Sequence, residues 1–392
     1  MTALATQAAE LIEVPLSDRK LVERFIRVPW TVNRLHHPSP HWVPPLLMDR
    51  RDYLTPSKNP FFDHAKGAFW IAHKDGQDIG RIAAIRDEDY IKFHEEETGY
   101  YGMFECIDDQ ATANALIAQA DQWLIKQRCS KVIGPLELST NYMAGALVDG
   151  FDRDPGINMP YNPPYYDRLL KDAGLAKAKD LLYWGIDTTQ PPPERITKIA
   201  ERIAKKSKVQ VRKMEMSKWD REVGICLDIY NEAWEKNWGF VPISEKEFRH
   251  IAKDLKMVIK DDLGLIGEVD GEPVAFVLSI QDVNPTMKKI DGRLFPTGIF
   301  RLIWDLMVQP KKNITGGRLI LMGIREKYRA RGLDILMMLE TLKAAKRHGL
   351  DRGEMGWTLE DNFKINRAIE HMGGSVVATH RVYEKDLGDL VA

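Results

Sequence analysis

Cysteine is scarce: 392 residues carry three, Cys106, Cys129 and Cys226. An odd, scattered set without ligand spacing reads as reduced thiols of a cytosolic protein, not as a disulfide framework or a thiolate metal site. No run of about 18 apolar residues occurs, which excludes an ordinary helical membrane span. An excess of either charge is missing too. Lys and Arg number 56 against 57 Asp and Glu, a net charge of −1, so bulk attraction to nucleic acid or anionic lipid is not expected, which leaves only local basic patches. The opening MTALATQAAELIEV has neither a basic start nor an apolar centre and is not expected to be a signal peptide. His36, His37 and His41 lie among prolines with no thiol or carboxylate beside them, so no metal is expected. Their loop is expected to pack Trp30, Trp42, Phe61 and Phe62 onto the fold.

What is present is a regular alternation of strand and helix patterns. The length suits two domains, each able to bury a core. A strand-like start precedes a helical 18–27, and residues 68–72 and 79–85 flank an Asp75-Gly76 hairpin turn. Residues 101–107 read as a strand, 110–127 as a helix, 131–138 and 181–186 as strands. Pro191-Pro192-Pro193 marks the clearest boundary. Beyond it a basic helix (194–207), a strand (209–214), a helix (219–236) and a helix capped by Ser244 follow. A second hairpin turns at Asp270-Gly271. The order on the two sides is similar, so two copies of one α/β (α+β) fold are expected, over residues 1–189 and 190–392.

Residues 318–374 organise the chemistry. An apolar strand (Leu319-Ile320-Leu321-Met322) leads into a basic loop with Gly332, then into a helix with Leu333, Leu336, Met337, Leu339 and Leu342 at helical spacing. A helix start with a glycine and flanking arginines suits an anion, because first-turn amides lack internal partners. A solvated basic loop before a packing helix is the other reading. The first half has no such loop; Asp108 and Asp109 stand before its 110–127 helix, which caps the helix but repels a pyrophosphate. Residues 293–308, RLFPTGIFRLIWDLMV, are apolar nearly all round a helix, with Arg301 and Asp305 spaced to pair. Such a helix is either core or a wall for something apolar, an acyl chain or a bilayer.

Residues 324–334, IREKYRARGLD, resemble the acetyl-CoA loop of the GCN5-related N-acetyltransferase (GNAT) superfamily, Val-x-x-x-Tyr-Arg-x-x-Gly-x-Gly. Ile324, Tyr328, Arg329 and Gly332 fall in place, and Asp334 replaces the last glycine. The family's downstream asparagine is similar to Asn362, at 373 − 362 = 11 positions before Gly373; its tyrosine falls on Ile369. Longer phrases resemble one bacterial subfamily with two GNAT-like halves that includes the bacterial ceramide synthases. Among them are His41-Trp42-Val43-Pro44-Pro45-Leu46, Asn59-Pro60-Phe61-Phe62-Asp63-His64-Ala65, Tyr161-Asn162-Pro163-Pro164-Tyr165-Tyr166 and Trp357-Thr358-Leu359-Glu360-Asp361-Asn362.

The resemblance implies two tandem domains, each a mixed sheet flanked by helices, the first lacking the phosphate loop and serving the acceptor side. It implies transfer of a long-chain acyl group from acyl-CoA to a sphingoid-base amine, without a metal. The thioester carbonyl and pantetheine are expected on Met322, Gly323 and Ile324. The phosphates are expected on Arg325, Arg329, Ala330, Arg331, Gly332, Leu333 and Asp334, with Asn362 as a brace. Glu360 is the expected general base, with a helix-capping role as the alternative; Tyr383 or His380 is the expected acid for the thiolate, with a buried structural tyrosine as the alternative. Tyr165, Tyr166 and Trp357 are expected around the substrate, with Ile303 and Trp304 along the acyl chain. Three readings compete: a small-molecule or protein N-acetyltransferase using acetyl-CoA, a tRNA-dependent aminoacyltransferase, and a non-catalytic acyl-CoA-binding protein. Asp334 also leaves an acyl carrier protein open as donor. Location is expected to be cytoplasmic, with peripheral contact on the inner membrane.

Overall fold

The structure, a computed structural model, describes residues 8–256, 259–329 and 331–388. Among these, two compact units divide the chain. The first takes residues 8–180, 291–294 and 380–388; the second takes 181–290 and 295–379. The chain therefore leaves the first unit inside a strand, ahead of the triple proline on which the expected 189/190 boundary rests, and its last strand returns there. A proline run announces a loop, whereas a strand that passes from one unit to the next has no compositional mark.

The first unit carries β1 (Glu10–Glu13), β2 (Ala65–Lys74), β3 (Gln77–Asp87), β4 (Thr98–Cys106), β5 (Lys131–Leu136), β6 (Ala146–Asp149) and the start of β7 (Ala176–Asp187). β1 to β4 pair antiparallel in order, β4 and β5 pair parallel, and residues 383–386 close the sheet antiparallel to β5. The β2–β3 hairpin forms where expected because Asp75 and Gly76 both take positive φ, 50° and 78°, the backbone of a two-residue hairpin turn. The helix Gln110–Lys126 is capped by Asp109, whose carboxylate accepts from the Ala111 amide and the Thr112 hydroxyl. Leu116, Ile117, Ala120 and Leu124 of that helix pack into the core with Ala84 and Tyr101.

The second unit repeats the plan. β8 (Gln210–Lys213), β9 (Gly264–Val269), β10 (Glu272–Gln281) and β11 (Gly316–Ile324) pair antiparallel. β11 and β12 (Arg352–Leu359) pair parallel, and residues 181–187 of β7 close the sheet antiparallel to β12. The last strand, β13 (Ser375–Asp386), starts here and ends in the first unit. Leu333, Leu336 and Leu339 of the helix Leu333–Arg347 share a core with Ile196 and Ala200 of the helix Glu194–Ser207. Each unit is thus a mixed sheet flanked by helices, as expected.

Residues 293–308 depart from expectation. Helix begins only at Gly298, past Pro296, and runs as Gly298–Ile303 followed by a wider π-type turn, Trp304–Val308. The Arg301–Asp305 pair forms, Nε to Oδ2 at 3.1 Å. The core reading fails, because Phe300, Ile303, Trp304, Met307 and Val308 are exposed while Asp305 is buried. Periodicity shows that a helix has an apolar face but not which way that face points.

Candidate active site

β11 and β12 run side by side from the Gly316–Arg352 pair to the Leu319–Met355 pair, and there the pairing stops although both strands continue. A bulge explains the parting. Opposite β10, the register jumps between Leu278–Leu321 and Ser279–Leu319, leaving Ile320 as an extra residue, and an extra residue bends its strand. A cavity of about 300 Å3 opens there, with Leu319, Ile320 and Met322 on one wall and Met355 to Leu359 on the other.

The amide of Arg325 donates to Val274 O on β10, at 2.9 Å. Strand alternation then turns Met322 and Ile324 away from β10. Their carbonyls are already engaged: the Trp234 indole N–H donates to Met322 O at 3.3 Å and Arg329 Nε donates to Ile324 O at 3.1 Å. Their two amides border the gap, a suitable place to meet negative charge growing on a carbonyl oxygen.

The loop is held differently from expectation. Arg325 donates to Glu232 Oε2 (2.6 Å) and Pro273 O (3.0 Å), and the Glu326 amide to Glu232 Oε1. Arg329 donates to the carbonyls of Glu232 (3.1 Å) and Ala233 (2.9 Å) as well as Ile324. Both arginines therefore brace the loop, Arg325 through the Glu232 carboxylate and Arg329 through the last carbonyls of the helix Trp219–Trp234, a ready acceptor for a cation. Arg331 is exposed, 5.1 Å from the Tyr328 ring centroid. Ala330 lies outside the described residues. Gly332 is the N-cap of Leu333–Arg347 at φ +78°, and a Cβ on it would stand 2.5 Å from Ile203 Cδ1. Leu333 is buried in the core, and both Leu333 and Asp334 reach the cavity wall. A first helical turn whose cap residue has no side chain fits a phosphate group.

The Trp357 and Trp234 rings meet edge to face at the cavity, centroids 6.2 Å apart. Arg318, buried, fixes the backbone before Trp357 by donating twice to Gly356 O, at 2.7 and 3.1 Å. Sequence reading missed Trp234 and Arg318; the one signal was an arginine opening an otherwise apolar strand. Asn362 lines the cavity, and the turn that follows β12 is held by Asn366, whose Nδ2 donates to Leu359 O (3.0 Å) and Glu360 O (3.3 Å). Glu360 occupies the turn one residue past the wall residue Leu359. Ile369 lines the cavity where the superfamily tyrosine would fall.

No family model matches the chain. A bacterial ceramide synthase of Caulobacter vibrioides (strain NA1000 / CB15N) is 38% identical over 387 residues, 97% of this chain and 98% of that protein. The chain belongs to the bacterial ceramide synthase family. Protein YghO of Escherichia coli (strain K12) is 34% identical over 373 residues, 93% of each chain. Among solved structures, a tandem GNAT protein from the clavulanic acid biosynthesis pathway superposes with a TM-score of 0.57 at 11% identity, covering 97% of this chain and 99% of that one. A GCN5-related N-acetyltransferase from Sphaerobacter thermophilus gives 0.53 at 13% identity, covering 96% of each. These two show the fold.

In this member of the ceramide synthase family, four expected site residues lie in the first unit and have structural partners there. Tyr383 O–H donates to Asp167 at 2.6 Å, and burial pushes its hydroxyl pKa upward. His380 Nε2 contacts Pro160 O at 3.1 Å. Tyr165 O–H donates to Cys106 O; Tyr166 donates to Glu105 and accepts from the Cys106 amide. Buried aromatic residues need such partners for their polar tips, and this is why the pattern around them looked functional. Ile303 and Trp304 share the second unit with the cavity but are not on its walls. The cavity brings together Met322, Ile324, Arg329, Leu333, Asp334, Trp357 and Asn362.

Proposed function

We propose that this GNAT-type enzyme, an acyl-CoA-dependent N-acyltransferase, moves a long-chain acyl group from acyl-CoA to the amine of a sphingoid base. The family relationship supports the substrate class. The observation that carries the chemistry is the apolar gap between β11 and β12 with the Met322 and Ile324 amides at its edge. The thioester carbonyl lies against those amides, whose fixed dipoles favour the oxyanion over the ground-state carbonyl. The pyrophosphate sits at the start of the Leu333–Arg347 helix, with Arg331 beside it. The amine nitrogen forms the C–N bond as the C–S bond breaks; Glu360 takes the amine proton through water, and the same proton, returned through that water, converts the departing thiolate to the free thiol. The acyl chain follows Leu319, Met338 and Ile369 on the cavity wall.

Asp334 favours a second reading of the donor. Its carboxylate stands in the first turn of that helix, on the cavity wall, where it repels a nucleotide pyrophosphate. An acyl carrier protein presents phosphopantetheine without the nucleotide. The enzyme works in the cytoplasm in peripheral contact with the cytoplasmic membrane; no helix of the described residues is long and apolar enough to cross one.

The test is mass spectrometry of N-acyl product from the purified protein with sphinganine and, in turn, palmitoyl-CoA, acetyl-CoA and a palmitoylated carrier protein. Long-chain amide is expected. Better use of acetyl-CoA overturns the proposed function, and the relative rates with CoA and carrier decide the donor.

A further inference from the structure

The segment Gly298–Val308 is amphipathic the wrong way round for a globular protein. Phe300, Ile303, Trp304, Met307 and Val308 recur at helical spacing on one stripe, and that stripe is the outer one. Phe300 is 71% and Met307 75% exposed, and Phe295 just ahead is also exposed. The inner side is held by a charge. Asp305 is fully buried, accepts from the Thr286 hydroxyl at 2.7 Å and from Arg301 Nε at 3.1 Å, and has Lys289 Nζ 4.0 Å away. A buried carboxylate with these partners fixes the rotation of the helix, so the apolar stripe is held outward by the structure itself.

The charges choose the occupant. Asp305 is the only acid between Phe295 and Asn313, and it is turned inward. Arg301, Lys312 and Lys289 are exposed. An exposed stripe of aromatic and aliphatic side chains, whose own segment exposes cations and no acid, matches an anionic lipid surface, where the apolar face enters the acyl boundary and the cations meet headgroups. Trp304 suits the headgroup level. At about 1.5 Å per residue the segment is far too short to cross a bilayer of roughly 30 Å, so it must lie along the surface. We propose that the outward stripe of Gly298–Val308 docks the second unit on an anionic bilayer. This gives the peripheral contact suggested above a specific surface, and it stands on exposure and charge whatever the acyl acceptor is.

Flotation of the full chain with phosphatidylglycerol–phosphatidylcholine vesicles and with pure phosphatidylcholine vesicles tests it, with no substrate present. The wild type is expected to float with the anionic vesicles, less with the neutral ones, and less in high salt. The double variant Phe300→Asn/Met307→Asn is expected to bind at least about tenfold more weakly with an unchanged melting temperature, because both side chains face outward. Lys312→Glu, which leaves the stripe intact, is expected to weaken binding to anionic vesicles only. Wild-type protein that floats with neither vesicle overturns the proposal, as does a double variant that floats like the parent. A dimer in gel filtration that the double substitution dissociates, without vesicle binding, assigns the stripe to a second copy of the chain and overturns it as well. None of these readouts depends on donor length or on the amine, so the function proposed above fails or survives separately.

Discussion

Arg329→Ala and Arg331→Ala separate bracing from binding within one loop. Arg329 holds three backbone carbonyls, and a charge-assisted hydrogen bond is worth about 1.5–3 kcal/mol when lost from a well-placed site. Its alanine variant is expected to lower stability by about 2 kcal/mol and to weaken thioester binding as a consequence of the loosened loop. Arg331 is exposed, so its alanine variant should leave the melting temperature in place and weaken long-chain acyl-CoA alone. Thermal melts with and without palmitoyl-CoA read both effects, since a ligand of the native state raises the melting temperature. If Arg329→Ala melts like the parent, the bracing role is refuted. Asp282 gives a second residue-scale test. Burial, with the neighbouring charge of Glu354, raises its carboxyl pKa from 3.8 to about 6, against the pull of the Asn284 amide and Arg352. Between those values the folded state holds a proton that the unfolded chain has released. Stability therefore falls as pH rises from about 4 to 6 and stays lower above, by at most about 3 kcal/mol. Asp282→Asn keeps an acceptor for Asn284 and removes the titration, so its urea midpoint should change less over that window; parallel profiles for variant and parent would remove Asp282 as the cause.

At the scale of elements, the start of the Leu333–Arg347 helix has a structural reason for its glycine that is independent of phosphate. Gly332 sits at φ +78° and a Cβ would press on Ile203 of the helix Glu194–Ser207. Gly332→Ala should cost about 1–3 kcal/mol through backbone conformation and overpacking. Ile203→Ala in the same chain should recover the overpacking part, which a double-mutant cycle in urea measures; strict additivity would mean that the two do not meet. The same segment shows what the sequence makes legible. Hairpin turns at Asp75-Gly76 and Asp270-Gly271, the Asp109 and Ser244 caps and the Leu333 helix are settled by neighbours in the chain, so reading neighbours finds them. The bulge at Ile320, and with it the parting of β11 from β12, depends on strands distant in sequence. So does the use of Arg325 and Arg329: a basic loop looks alike whether its arginines face a ligand or the end of another helix. Tyr165, Tyr166, His380 and Tyr383 show the converse: burial obliges polar groups to find partners, so in sequence a structural and a catalytic polar residue look alike.

The whole molecule is governed by an exchange that no local pattern announces. Each unit closes its sheet with a strand that runs over from the other: residues 383–386 beside β5 in the first, residues 181–187 beside β12 in the second. In the first unit the borrowed strand also carries charge partners. Lys385 Nζ lies 2.8 Å from the buried Asp121, and Arg381 grips Asp180 with two bonds of 2.7 and 2.9 Å. A chain ending at Thr379 would leave β5 an open edge and Asp121 without its cation, a change worth about 3–5 kcal/mol from the charge alone. That is a large share of the 5–15 kcal/mol typical of a domain, so the first unit is expected to lose its cooperative melt. A cut at 189/190 does comparable harm to both halves, because fragment 190–392 lacks residues 181–187 and fragment 1–189 lacks residues 380–388. Each fragment expressed alone should be insoluble or molten by near-ultraviolet circular dichroism. Co-expressed from two genes, the fragments should copurify and recover the parent's melting transition, since every ladder is then restored. Fragment 1–189 folding alone, with a single sharp transition near that of the parent, would show that the exchanged strand is dispensable to the unit that receives it.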